Sequence, residues 1–163
     1  MAISVIKLKL SEAARLRVIR LQALKDAPYA FGADFQKESE KDLSYWQDNL
    51  NNTNWCIAVD NGRDIGLLAV DLADADRGSD CWLSSWWIDQ NYRGQGVSKL
   101  MLQWLDQLCV EKGWHKQGLG VWPENEAAID VYLKLGFTKG DKELQSRSRP
   151  EKMYLPMYRN LPL

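Results

Sequence analysis

A chain of 163 residues with 45% hydrophobic content can bury one sizeable core, so a single domain is expected over residues 1–163. Its formal net charge of -1 argues against a nucleic-acid backbone or an anionic membrane as partner and favours a small or cationic one. The opening "MAISVIKLKL" alternates lysine with apolar residues, and no later window approaches about 18 apolar residues, which predicts a soluble, unprocessed, cytoplasmic protein without a membrane partner.

Along the chain, Ile3 to Leu8 reads as a short strand. Ser11 is placed to cap a helix running to about Lys25, with Leu16, Ile19, Ala23 and Leu24 near one face and Pro28 as the stop. The polar stretch "FGADFQKESEKD" leads into a second helical piece carrying Tyr45, Trp46 and Leu50. "WCIAV" and "IGLLAVDL" follow as strands joined by Asp60-Asn61-Gly62-Arg63, which is hairpin-turn chemistry. After the loop "DADRGSD" comes a third long apolar strand, "CWLSSWWID", feeding straight into "NYRGQGVS". Leu100, Met101, Trp104, Leu105, Leu108 and Cys109 then sit at helical spacing, with Gly113 as the stop. "QGLGVW" is a short strand, and Asn125 is placed to cap a helix through Ala128, Ile129, Tyr132 and Leu133 that ends at Gly136. The tail offers strands near Phe137 to Leu144 and Lys152 to Arg159, where Pro156 demands an edge or a bulge. Cys56, Cys81 and Cys109 are odd in number and far apart, without the close pairing of a zinc or redox motif; they are expected to be reduced and buried, and no metal site is expected.

The junction at the third long strand has a physical purpose. A helix amino terminus leaves backbone N–H groups without intrahelical partners and concentrates partial positive charge, so it favours anions. Gly94 and Gly96 remove side chains that would bar a phosphate from the amides, and Arg93 adds a charge with fork geometry suited to phosphate oxygens. Two common phosphate loops are excluded. Gly94 to Lys99 lacks the lysine and hydroxyl residue that a P-loop carries after its second glycine, and Lys99 stands where a dinucleotide fingerprint needs a third glycine.

"RGQGVS" instead resembles the R-x-x-G-x-G/A pyrophosphate loop of the GNAT superfamily of N-acetyltransferases. A second block, "VWPENEAAIDVYLKLGF", is similar to that superfamily's pattern of an asparagine before a helix, with Asn125, Ala128, Tyr132, Gly136 and Phe137 in the matching places. The motifs come in the right order on the expected elements, and the resemblance covers essentially the whole domain. It implies a mixed α/β (α+β) fold, with a mostly antiparallel central sheet of six or seven strands, splayed at the cofactor site and flanked by about four helices. It also implies acetyl-CoA as co-substrate and direct transfer of the acetyl group to a primary amine, in a ternary complex, on a small molecule or a protein. Backbone groups of Trp86, Trp87 and Ile88 would bond the pantetheine amides and the acetyl carbonyl. Amides of Arg93, Gly94, Gln95, Gly96, Val97 and Ser98 would hold the pyrophosphate, Asn125 would contact the cofactor, and Tyr132 would serve as general acid at the thioester sulfur. Gln90 stands where the family often has proline, and Ser98 where it usually has glycine or alanine.

A lysine-like amine is mostly protonated at pH 7, and making it nucleophilic costs about 4 to 5 kcal/mol unless a base assists. Asp34, Glu38 and Glu40 in the stretch between helices, and Asp71 at a strand end, are the candidate bases, with an ordered water as the alternative. Simpler uses compete for several of these residues: Asn125 as a helix cap, Tyr132 as a packing aromatic, and His115 as an exposed residue without triad spacing. Trp82 and Trp86 share one strand face and Trp87 takes the other; with eight tryptophans in the chain, this leaves a homodimer open. The acidic run "DLADADRGSD" offers attraction for a cationic amine. A non-catalytic acyl-CoA-binding module that acts through a protein partner is the alternative function.

Overall fold

Strands β1 (Ile3–Lys7), β2 (Asn54–Asp60) and β3 (Arg63–Leu72) form an antiparallel meander in which Ile3 faces Asp60 and Trp55 faces Ala69. The turn between β2 and β3 is the predicted one: Asn61 and Gly62 both take positive φ, 48° and 79°. A bulge between Ala58 and Val59 shifts the register of the second pair. This is a computed structural model, and it describes residues 2–31 and 33–162; Met1 and Leu163, the ends of the expected domain, and Gly32 of the polar stretch lie outside the described residues.

Two compact units make up the described chain. One contains the chain up to Val70 together with Ser85–Leu105, and the other Asp71–Ser84 together with the chain from Asp106 onward. In the first unit, α1 (Ala13–Asp26), α2 (Phe35–Ser39) and α3 (Leu43–Asn52) cover the meander, and Leu16, Ile19, Trp46, Ile57, Leu67 and Trp87 are buried in one apolar cluster. Gly66 of β3 allows a close approach, since a Cβ there would lie 3.1 Å from both Ala58 Cβ and Met101 Sδ.

The second unit holds the first part of β4 (Cys81–Ile88), then β5 (Lys116–Val121), α5 (Glu126–Lys134), β6 (Thr138–Lys139), β7 (Leu144–Gln145) and β8 (Met153–Asn160). Cys81 to Leu83 pair in parallel with Gln117 to Leu119, and the crossover a parallel pair requires is α4 (Val97–Lys112). β5 runs antiparallel to β8, which also pairs with β6 and β7. The mixed, mostly antiparallel sheet is therefore as expected. It has eight strands and the chain five α-helices among the described residues, because two-residue strands and the five-residue α2 add to the anticipated elements.

Three local expectations change. Ser11 does not cap α1: Glu12 occupies the cap position and turns its carboxylate to the Lys9 amide at 3.0 Å and to Arg15 at 2.8 Å. The polar stretch yields α2 because Asp34 accepts from the amides of Gln36 and Lys37 and starts a short helix. The strand expected near Phe137 to Leu144 breaks into β6 and β7. Pro156 explains the break, since its carbonyl accepts from Gly140 N at 2.8 Å on that flank and its missing N–H leaves the flank without a donor. All three cysteines are free and buried, yet the sequence-distant Cys81 and Cys109 sulfurs lie 3.9 Å apart. No helix among the described residues is long and apolar enough to cross a membrane.

Candidate active site

In the first unit, the site is assembled from the end of β4, the loop behind it and the start of α4. Ser85 takes a φ of 56°, an unfavourable value for a residue with a side chain, just beyond Leu83, where the parallel ladder ends. Past this irregularity Trp87 is buried in the apolar cluster, while Trp86 and Ile88 keep some exposure.

Asp89, only 5% exposed, closes the strand and opens the loop. Its N–H donates to Ile65 O at 2.8 Å, and its carboxylate accepts from Asn91 N at 3.0 Å and from Arg63 at 3.3 Å. A short 3-10 turn, Gln90–Tyr92, follows. Tyr92 donates to Asp60 at 2.8 Å, which raises its phenol pKa above the ordinary value because the neighbouring carboxylate opposes a second negative charge. The β2–β3 hairpin thus holds this segment by three polar contacts, through Ile65 O, Arg63 and Asp60.

Gly94 and Gly96 adopt left-handed φ values of 76° and 81°, and a Cβ built on either meets nothing within 4 Å. Glycine is needed here for backbone conformation, and the space above both residues is open. Gln95 donates to Asn91 O at 3.0 Å and stiffens the loop between them. Val97 is 2% exposed and anchors the first turn of α4, whereas Gly94, Gln95 and Gly96 are exposed and Ser98 partly so. The arrangement presents backbone amides and a helix amino terminus, with room for a pyrophosphate to approach. The Arg93 side chain is used differently from the phosphate fork expected: its Nε donates to Ile88 O at 2.9 Å and its Nη2 to Asp26 at 3.0 Å.

In the second unit, α5 carries the other motif. Asn125 caps it, accepting from Ala128 N at 3.3 Å, so the capping use is real. Tyr132 packs edge-on against Phe137 at 6.0 Å, and its carbonyl accepts from Phe137 N at 3.0 Å at the helix end. Tyr132 retains some surface, yet enough protein surrounds its phenol that burial pushes its pKa up to about 12.

The candidate bases are dispersed and mostly engaged. Asp34 accepts from Gln36 N at 2.7 Å, Glu40 from the Gln36 side chain at 3.3 Å, and Glu38 is 8% exposed in a pair with the equally buried Arg20 at 3.3 Å. Asp71 is partly buried near the end of β3, in the second unit. The acidic run also has internal uses: Asp74 and Asp76 both pair with Arg147, the latter at 2.7 Å, and Asp80 accepts from the His115 and Lys116 amides. His115 is exposed. Asp26, Arg63, Asp60 and Asp89 were not singled out in the sequence, because each acts on the loop from a distant position or through an ordinary-looking turn.

Comparison with known proteins shows the family. The profile of the acetyltransferase (GNAT) family matches residues 20–137, which include the glycine loop, α4 and α5. The chain belongs to this family. Among curated proteins, "Uncharacterized N-acetyltransferase YdgE" of Bacillus subtilis is 30% identical over 91 residues, covering 56% of this chain and 58% of that relative. A GNAT-family acetyltransferase from Streptococcus pneumoniae superposes with a TM-score of 0.75 at 20% identity, covering 99% of this chain and 100% of its own. The putative acetyltransferase yncA of Salmonella typhimurium, solved with acetyl-CoA, gives a TM-score of 0.69 at 18% identity, covering 100% and 96%. These two likenesses establish a shared GNAT fold.

Proposed function

We propose that this GNAT-family chain is a single-domain N-acetyltransferase that moves the acetyl group of acetyl-CoA directly to a primary amine in a ternary complex. The observation that carries the reading is the pair of left-handed glycines with open space above them, immediately before α4. In this reading the amides of Arg93 to Ser98 hold the pyrophosphate, backbone groups of Trp86 to Ile88 engage the pantetheine and the acetyl carbonyl, and Asn125 adds a contact besides capping α5. Acetyl-CoA supplies an activated carbonyl and a thiolate leaving group.

Tyr132 is the proposed acid. With its pKa near 12 it stays protonated throughout the neutral range, the form a donor needs. Complete transfer of its proton to a thiolate with a pKa of about 8.5 would be uphill by roughly 5 kcal/mol, so Tyr132 contributes a hydrogen bond to the sulfur as the C–S bond breaks. The amine loses one proton and the departing sulfur gains one, so no net proton is drawn from the phenol. For the amine proton, a water relayed to Asp71, Asp34 or Glu38 serves as base; the caps and ion pair of the last two make water the nearer choice.

A small-molecule amine is the preferred acceptor and a protein amino group the second. The reading also makes the protein cytoplasmic, working without nucleic acid or membrane, with a homodimer as the assembly to look for by light scattering. The test is thiol release from acetyl-CoA across a panel of amines and peptides. Saturable release with one acceptor class supports the transferase. Full acetyl-CoA binding without release on any acceptor would replace it with the non-catalytic acyl-CoA-binding module.

A further inference from the structure

We propose that Asp26 is a positioning residue for cofactor binding, holding the glycine loop through Arg93 and strand β4 through Trp87. The proposal rests on the loop being the acetyl-CoA site. Asp26 is the last residue of α1, and one of its oxygens, Oδ2, accepts from Trp87 Nε1 at 2.8 Å and from Arg93 Nη2 at 3.0 Å. Arg93 closes the clasp by donating Nε to the Ile88 carbonyl at 2.9 Å. One carboxylate oxygen therefore joins a helix end, a strand and a loop within the first unit.

Each contact has a physical reason to matter. Trp87 is 4% exposed, so its indole N–H would be a buried donor without a partner if Asp26 were removed. Arg93 directly precedes Gly94, and its Nε and Nη2, which share one edge of the guanidinium, are spent on a carbonyl and a carboxylate. The fork thus fixes where the left-handed glycines begin. Asp26 also offsets the charge of Arg93, leaving attraction for an anion to the loop amides and the helix end. Lysine keeps the charge but replaces the planar pair of Nε and Nη2 donors with a single ammonium nitrogen, so the fixed geometry that holds Ile88 O and Asp26 together is lost.

The test is calorimetric titration of acetyl-CoA into the wild type, Asp26→Asn, Arg93→Lys, Arg93→Gln and the Asp26→Asn/Arg93→Gln double variant, with thermal unfolding confirming that each is folded. The Trp87 indole ¹H–¹⁵N resonance, identified by its loss in Trp87→Phe, reports the contact without any ligand. Each single variant is expected to bind about tenfold more weakly, as for loss of a charge-assisted hydrogen bond. The double variant is expected to lose no more than the weaker single, and the Trp87 resonance to move in Asp26→Asn. If Asp26→Asn unfolds, Arg93→Lys decides the question, since it leaves Asp26 and Trp87 in place. Wild-type affinity in Asp26→Asn or in Arg93→Lys, or losses that simply add, would overturn the role. A wild type that does not bind acetyl-CoA would instead remove the functional reading and this role with it, an outcome distinguished by the wild-type titration itself.

Discussion

The glycine loop behind β4 and the helix α5 both carry motifs of the same family, but they are built on opposite plans. The loop is exposed, leaves open space over its glycines, and is held by side chains far away in sequence: Asp26 lies 67 positions before Arg93, and Asp60 lies 32 before Tyr92. α5 is held locally, by Asn125 on Ala128 three residues on and by Tyr132 on Phe137 five residues on. An anion cradle must keep its amides unused, so its rigidity has to come from elsewhere. A helix proposed to offer one hydroxyl can be fixed by its own neighbours.

Placing a charged side chain in the loop should have the largest effect. Gly96→Glu combines a left-handed φ of 81° with a negative charge in the space proposed for the pyrophosphate, and should weaken acetyl-CoA binding at least a hundredfold, roughly 3 kcal/mol, by calorimetry. Because a Cβ at Gly96 meets no atom within 4 Å, the variant should still fold, which far-ultraviolet circular dichroism would check.

Tyr132→Phe sharpens the contrast from the other side. It should lower kcat by about a hundredfold while leaving the affinity for acetyl-CoA nearly unchanged, as expected for a donor that acts when the C–S bond breaks. Equal losses in kcat and in affinity would make Tyr132 part of the binding surface instead. The same residue gives a stability prediction. Its folded pKa of about 12 exceeds the ordinary tyrosine value near 10, so its contribution is fully present below pH 10 and is lost as pH rises through 12. That loss is roughly 2 to 3 kcal/mol, and denaturant titrations between pH 9 and about 12 should show it in the wild type and not in Tyr132→Phe. The smallest effect belongs to the cap: Asn125→Ala should cost about 1 kcal/mol of stability.

Sequence legibility follows the same division. The helix at α5, its asparagine cap and its Gly136 stop were readable because every contact involved falls within a few residues. The two loop glycines were readable as positions that keep side chains away from the backbone, but their left-handed φ values came only with the structure. The Asp26 clasp was not, since nothing in "KDAPYAFG" marks an aspartate that accepts from residues 61 and 67 positions later. The Ser11 cap failed for a subtler reason: Glu12 takes the cap position, and its carboxylate turns to Lys9 N and the Arg15 side chain, so no side chain caps the first amides of α1. The split of β6 from β7 was half visible, because Pro156 signalled a missing donor but not which neighbouring strand would lack it.

If the loop amides receive the pyrophosphate, an amide ¹H–¹⁵N titration of the assigned wild-type protein with acetyl-CoA will register it at those residues. The largest shifts are expected at Gly94, Gln95, Gly96, Val97 and Ser98. Saturable binding that leaves those amides unmoved, or no binding at all, would contradict it.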